Sequence, residues 1–314
     1  MKRMTVMITT YNREDFVATC IASVARVASP ELHLRILVMD NGSGDSTPEV
    51  LARAAADMPA HATLEIHRTE DNRRVPSVYN RGFGIAYAQP CDYLMMMNDD
   101  TEFLPGALEQ LLAACDAHPK SMLTPLQRNY REPERVDAMV LGLMRKVDAF
   151  LEDSLMGRPL QQVYALETIS GAAMLARTEV WQAIGPWDEN FWFYGPDDDI
   201  CNRATHLGFQ NLIVPGSHLL HAHGKLGARA TEQNKAGQRL KWKRETQARY
   251  WFLLKSPARS FPLAFLALTR RAAQDVLECL LAKWPWGAVQ TIAIYAWFAT
   301  RLPYLARIRA EHFR

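Results

Sequence analysis

Cysteine is scarce in this chain of 314 residues. Only Cys20, Cys91, Cys115, Cys201 and Cys279 occur, an odd count with no Cys-x-x-Cys pair and no zinc-ligand spacing. A disulfide-stapled secreted scaffold and a structural zinc site are thereby excluded, and free, mostly buried thiols in a reducing compartment are expected. A membrane-spanning run is also missing. The apolar stretch 287–299 is too short to cross a bilayer, and Gln290 and Thr291 interrupt it. At the start, Met1-Lys2-Arg3-Met4-Thr5-Val6-Met7-Ile8 has too short an apolar part for a signal peptide and runs into a strand-like pattern, so a cytoplasmic location is expected. Net charge is only +2, which argues against a nucleic-acid binder. Internal repeats and low-complexity tracts are absent, and apolar, glycine and proline contents are ordinary for a globular protein.

What charge there is lies unevenly. Residues 241–314 hold 13 Lys and Arg against 4 Asp and Glu, a net +9, which leaves −7 on residues 1–240. An acidic body with a basic tail fits an anionic surface as partner. The length suits one large domain, or one domain with an appendage.

Hydrophobic patterning alternates between strand and helix. Strands are expected over 4–9, 34–39, 63–67 and 93–97, with helices over about 15–27, 48–57, 75–89 and 105–118. This alternation implies an α/β fold with a parallel, doubly wound sheet. Further strands are expected over 121–125, 169–176 and 211–214, the last stopped by Pro215-Gly216. A short helix fits 179–184, and another fits 199–207, ended by Gly208. Residues 129–162 are weakly patterned and fit a mobile flap or an inserted helical pair; from about 230 onward the pattern is helical.

The run Leu94-Met95-Met96-Met97-Asn98-Asp99-Asp100-Thr101 carries the most chemistry. A buried strand that ends in acids delivers them to the carboxyl edge of the sheet, where open α/β folds bind ligands. Two adjacent carboxylates repel, and a divalent cation between them is the usual remedy. The loops 9–14 and 40–46 follow parallel strands too, so Asp40, Asp99 and Asp100 should open on one crevice. A second constellation is Phe191-Trp192-Phe193-Tyr194-Gly195-Pro196-Asp197-Asp198-Asp199, three acids after an aromatic run. One acid is explained by helix capping; three exceed that need, and an acid pressed among aromatics and other acids acquires the raised pKa of a general base. The third is His218-Leu219-Leu220-His221-Ala222-His223, where His221 and His223 share a face of an extended segment and either is a candidate metal ligand.

In this order the segments resemble family-2 glycosyltransferases of the GT-A fold, in the rhamnosyltransferase-like, polysaccharide-building branch. The resemblance spans about 4–255 and is carried by Thr9-Thr10-Tyr11-Asn12-Arg13, Asp40-Asn41-Gly42-Ser43-Gly44-Asp45, Asn72 with Asn80-Arg81-Gly82, Asn98-Asp99-Asp100, Ser170-Gly171-Ala172, Gly185-Pro186-Trp187-Asp188-Glu189, Asp197-Asp198-Asp199 and His221. It implies a catalytic domain over 1–229, with a nucleotide-sugar half over about 1–120 and an acceptor half over about 121–229, followed by a helical region over 230–314. It implies an inverting, metal-dependent transfer from a nucleoside-diphosphate sugar to a hydroxyl of a glycan or lipid-linked glycan. Asp100 and His221 would hold Mg²⁺ or Mn²⁺. Thr10, Tyr11, Asn12, Asp40, Asn72, Arg74, Asn80, Asn98 and Asp99 would serve the donor. Asp197, or its neighbour Asp198, would be the base, and Trp187, Asp188, Trp192 and Tyr194 would face the acceptor. Two departures stand out: Arg74 where the family often has glycine, and Pro196 where it commonly has Glu.

Trp284, Trp286 and Trp297 with many Leu, Ala and Phe mark three helix-like pieces over 256–314. They fit in-plane attachment to the inner leaflet of a membrane, or a homodimer contact. A sugar-nucleotide pyrophosphorylase would need a Gly-rich first loop and is disfavoured by Thr9-Thr10-Tyr11-Asn12-Arg13. A catalytically silent carbohydrate-binding protein is disfavoured by the intact Asp100, Asp197 and His221.

Overall fold

A computed structural model describes residues 1–191, 194–223 and 235–313. Its first four strands are β1 (Lys2–Thr10), β2 (Leu32–Asp40), β3 (Ala62–Arg68) and β4 (Tyr93–Asn98). Alternate residues of each central strand sort onto two cores. Met4, Val6 and Ile8 of β1, Leu34, Ile36 and Val38 of β2, and Tyr93, Met95 and Met97 of β4 share one cluster. Met7, Leu37, Met39, Leu94 and Met96 share the other. A strand with both faces covered must be apolar throughout, which is why the runs are continuous rather than alternating. Each such side chain contributes roughly 1.5–3 kcal/mol by leaving water.

Helices α1 (Val17–Ala25), α2 (Thr47–Ala56) and α4 (Ala107–Ala117) supply the first core with Val17, Cys20, Leu51, Leu108 and Leu111. Helices α3 (Val75–Tyr87), α7 (Thr178–Ile184) and α8 (Pro196–His206) supply the second with Val78, Phe83, Trp181 and Ile200. Residues 129–162 contain a helical pair, α5 (Ala138–Met144) and α6 (Asp148–Leu155).

Strand order is β3-β2-β1-β4-β8-β6-β9-β5. The expected parallel arrangement holds from β3 to β4. Beyond that the sheet is mixed: β8 (Ala173–Arg177) runs antiparallel between β4 and β6 (Ser121–Asn129), and β9 (Gln210–His221) is parallel to β6. β5 (Thr101–Phe103) and β7 (Tyr164–Ala165) both pair antiparallel with β9. Pro215-Gly216 does not stop the last strand. β9 pairs with β6 up to Val214↔Pro125, skips 215–217, and resumes at His218↔Leu126. A bulge leaves ladder groups unpaired, so Pro215, which has no N–H, is accommodated there. Helix α8 begins at Pro196, three residues earlier than its periodicity indicates, because Pro is preset for a first helical position and Gly195 at φ +86 turns the chain into it. All three acids therefore sit in its first turn.

Helices α9 (Lys235–Lys255), α10 (Phe261–Leu281), α11 (Pro285–Ala299) and α12 (Leu302–His312) pack around Trp251, Leu254, Leu268, Ile294, Phe298 and Leu305, and Phe191 from the body joins this third core. Lys255 keys the two parts together. Its ammonium lies 2.8 Å from Asp188 and 2.7 Å from Asp199, all but sealed from solvent. Among the described residues no helix is long and apolar enough to cross a membrane.

Candidate active site

Register explains how distant acids meet. Thr10 pairs with Asp40, and Thr9 with Asn98, so the loops after β1, β2 and β4 leave the sheet at one edge. Strand β5 then pairs Thr101 with His221, and the Ala222 N–H donates to the Asp100 carbonyl at 3.0 Å. This short ladder sets His221 Nε2 at 3.4 Å from Asp100 Oδ1. On the other side of the ring, Nδ1 lies 3.3 Å from Oε1 of buried Gln127. A proton on Nδ1, donated to Gln127, leaves an Nε2 lone pair facing Asp100. Cis ligands of Mg²⁺ or Mn²⁺ at ~2.1 Å lie ~3 Å apart, so one carboxylate oxygen and one imidazole nitrogen fit such an ion here.

A cation of the chain already stands beside the acids. The Arg13 guanidinium is buried, with Nε 3.5 Å from Asp99 Oδ1 and a terminal nitrogen 3.7 Å from Asp100 Oδ2. Burial and the neighbouring Asp100 charge push the Asp99 carboxyl up to about 7, against the pull of Arg13. Another group of ligand-type atoms, from Asp188, Asp199 and His312, lies around the Lys255 ammonium, and its charge is already met.

Asp197 and Asp198 approach from the first turn of α8. Asp197 accepts from the Gly171 N–H at 3.3 Å, and Asp198 accepts from the Thr168 hydroxyl at 2.9 Å. Gly171 leaves room for this carboxylate, since a Cβ there would lie 3.3 Å from the Asp197 carboxyl oxygen. Burial raises the Asp197 carboxyl above its ordinary value; partial burial and the Asp197 charge push Asp198 up to about 6. Asp199, third in the run, turns away to Lys255 and to Arg203 at 3.1 Å.

Thr10, Tyr11, Asn98, Asp99, Asp100, His221, Asp197, Asp198, Trp187 and Tyr194 line one cavity of about 940 Å³. The other expected residues that the structure describes lie off its lining. Asp40 is buried with Oδ1 accepting from Ser43 N at 2.9 Å and Oδ2 3.6 Å from Arg68 Nε. Asn72 accepts from the Asn41 amide at 3.0 Å, and Asn12 accepts from Gly44 N at 2.8 Å, so both brace the second loop. Gly42, at φ +80, is required in that loop because a Cβ would come within 2.8 Å of the Asp71 carbonyl carbon. Arg74 donates to the Glu189 carbonyl, and Asn80 brackets Trp187 through both its N–H and C=O, at 2.8 and 3.0 Å. Asp188 is enclosed by Lys255, the Trp251 indole N–H at 2.7 Å and Asn190. Trp187 packs against Tyr79, Phe83 and Trp181 and shows the cavity only part of its ring. Trp192 lies outside the described residues.

Several cavity residues received no role from the sequence, among them Arg13, Asn41, Tyr79, Arg135, Asp137 and Lys241. Arg13 had a signal, since a basic residue in the first loop emerges at the same sheet edge as the acids. Asp137 had none. It caps α5 by accepting from Met139 N and Val140 N, and its other oxygen holds His223 at 2.6 Å, whose ring stacks 3.9 Å from His221.

A family model described as glycosyl transferase family 2 matches residues 5–169. An N-acetylglucosaminyl-diphospho-decaprenol L-rhamnosyltransferase of Mycobacterium tuberculosis is 24% identical over 235 residues, covering 69% of this chain and 75% of that protein. The mannosyltransferase PcManGT from Pyrobaculum calidifontis, solved with GDP-Man and Mn²⁺, matches with TM-score 0.58 at 16% identity over 98% of this chain and 79% of that one. GalNAc-T7, solved with UDP, GalNAc and Mn²⁺, matches with TM-score 0.57 at 13% identity over 83% of this chain, which spans about half (52%) of that protein's length. Likeness to solved structures at such identities shows a shared fold.

Proposed function

The chain belongs to glycosyl transferase family 2 and is a glycosyltransferase of the GT-A fold, and on that premise we propose an inverting, metal-dependent transfer from a nucleoside-diphosphate sugar to a glycan hydroxyl. One observation carries this reading: acids and a histidine from four separate stretches of sequence line a single cavity at the carboxyl edge of the sheet. Asp100 and His221 are the residues to hold Mg²⁺ or Mn²⁺, which when bound offsets the negative charge that grows on the departing diphosphate. Arg13 adds a fixed positive charge beside Asp99 and Asp100. Thr10, Tyr11 and Asn98 face the nucleoside, while Asp40, Asn12, Asn72 and Asn80 keep the surrounding loops in place. Arg74 holds the loop at Glu189.

Asp197 accepts the proton of the acceptor hydroxyl. The freed oxygen attacks the anomeric carbon from the side opposite the phosphate, the bond to the diphosphate oxygen breaks, and the configuration inverts. The raised carboxyl of Asp197 suits a base working near neutrality. Tyr194 offers an apolar ring face to a sugar, while Trp187, packed on Tyr79, Phe83 and Trp181, supports the cavity wall. Arg135 and Lys241, also on the cavity wall, suit an acceptor that carries its own diphosphate. The M. tuberculosis relative is named for such an acceptor, an N-acetylglucosaminyl diphosphate on decaprenol, and for L-rhamnosyl transfer. Deoxyhexosyl transfer to a lipid-linked glycan in cell-envelope polysaccharide synthesis, by a cytoplasmic enzyme peripheral to the inner membrane, is therefore the first chemistry to test. Calorimetric titration with UDP, dTDP and GDP, each with and without Mn²⁺, is the experiment. One nucleotide should bind in a Mn²⁺-dependent way; silence with all three would refute the reading.

A further inference from the structure

Helices α10 and α11 leave an apolar face uncovered. On α10, Leu263, Leu266, Leu277, Leu280 and Leu281 are 56–75% exposed; on α11, Val289 and Ile292 are 61% and 57% exposed. Spacings of three and four keep the α10 leucines on one stripe. α11 has 15 residues and not one charge. At 1.5 Å per residue it is ~22 Å long, short of the ~30 Å needed to span a bilayer, so it can only lie along one.

The rim of this face has a definite chemistry. Exposed Arg270 interrupts the stripe, and exposed Lys283 and Arg301 bound it. The Arg301 guanidinium sits 4.6 Å over the Trp297 ring. At the α10–α11 turn, Trp284 and Trp286 pack on Trp242 with ring centres 5.0 and 5.9 Å away, and Arg239 lies 5.0 Å over Trp286. Trp242 follows Lys241, a residue of the cavity lining, on the same helix α9.

We propose that the α10–α11 face docks on an anionic bilayer, with the leucines, Val289 and Ile292 below the headgroups and the tryptophans and basic side chains among them. Tryptophan and arginine or lysine beside an apolar stripe are the composition of an interfacial helix. Charge selects lipid over a second copy of the chain. Residues 241–314 carry a net +9, or +8 without the sealed Lys255, which anionic headgroups attract and an identical surface would repel. This rests on the glycosyltransferase reading only for its consequence, that a lipid-linked acceptor enters the cavity at the membrane surface.

The test is flotation of the full chain with vesicles of equal parts phosphatidylglycerol and phosphatidylcholine, compared with phosphatidylcholine alone. Binding should be at least ~10-fold tighter to the anionic vesicles. Leu280→Asp with Ile292→Asp should weaken it by a further ~10-fold or more while leaving nucleoside-diphosphate binding and the oligomeric state unchanged. Should that pair fail to fold, Arg270→Glu with Lys283→Glu must abolish the preference for the anionic vesicles. The proposal is overturned by equal binding to both vesicle types, by Leu280→Asp/Ile292→Asp that floats like the parent, or by a dimer that this pair of substitutions dissociates. Absent vesicle binding with intact Mn²⁺-dependent nucleotide binding would remove the docking surface alone; the reverse pattern would remove the reading of the cavity.

Discussion

Asp188 and Asp199 close on the Lys255 ammonium at 2.8 and 2.7 Å, whereas Asp99 and Asp100 meet the Arg13 guanidinium only at 3.5 and 3.7 Å. Both are buried acidic pairs answered by one cation of the chain. The first is sealed beneath α9, with the Trp251 N–H, Asn190 and Arg203 taking further oxygen valences. The second lines the cavity, where a ligand can reach it. A closed cluster holds elements together; an open one can be approached by a ligand that brings a cation with it. The two differ less in composition than in what covers them.

This contrast can be broken at either cluster. The largest effect is expected at the base: Asp197→Asn should lower the rate of transfer by roughly 10²–10⁴-fold with nucleotide binding retained. If Asp198→Asn does this instead, the base is the neighbouring residue. Next comes the closed cluster. Lys255→Met strips two sealed carboxylates of their partner and should cost about 3–5 kcal/mol in chemical denaturation, while the Mn²⁺-dependent nucleotide affinity of the folded fraction stays unchanged. Asp100→Asn should show the opposite pattern: Mn²⁺-dependent nucleotide affinity falls by about 10²-fold or more, with no loss of stability. Gly171→Ala should press a methyl group 3.3 Å from the Asp197 carboxyl and lower kcat by roughly 10-fold, read by steady-state kinetics.

The smallest effect concerns pH. Asp198, at about 6, lies above the ordinary carboxylate value of ~4, so the folded chain binds this proton more tightly than the unfolded chain. That contribution to stability is complete below pH ~4 and is lost as pH rises through ~6. Asp198→Asn should therefore raise the melting temperature slightly at pH 7 and leave it unchanged at pH 4. The acidic limb of kcat/KM should lie above the ordinary carboxylate value of ~4, because burial raises the Asp197 carboxyl; a limb at 4 would deny the raised carboxyl a part in the reaction.

Much of the first half of the sheet was legible in the linear chain, because parallel strands announce themselves as uncharged runs ending in polar loops. β1, β2 and β4 lie where the patterning puts them, and the loops after them share one edge. The second half was harder. β5 is three residues long and has no pattern of its own, yet its register is what sets His221 beside Asp100. Nor could spacing show that Asp199 turns from its neighbours toward Lys255, or that Asp188 is enclosed, since the deciding partners lie 56 and 67 residues further along. The bulge at Pro215-Gly216 misled for a related reason. A stop signal in isolation is a tolerated kink when a neighbouring strand holds both sides of it.

Electron paramagnetic resonance of Mn²⁺ bound in the presence of nucleoside diphosphate discriminates the two clusters most directly. The open-cluster account predicts a single bound Mn²⁺ that is lost in Asp100→Asn and kept in Lys255→Met. Undiminished Mn²⁺ binding by Asp100→Asn would contradict it.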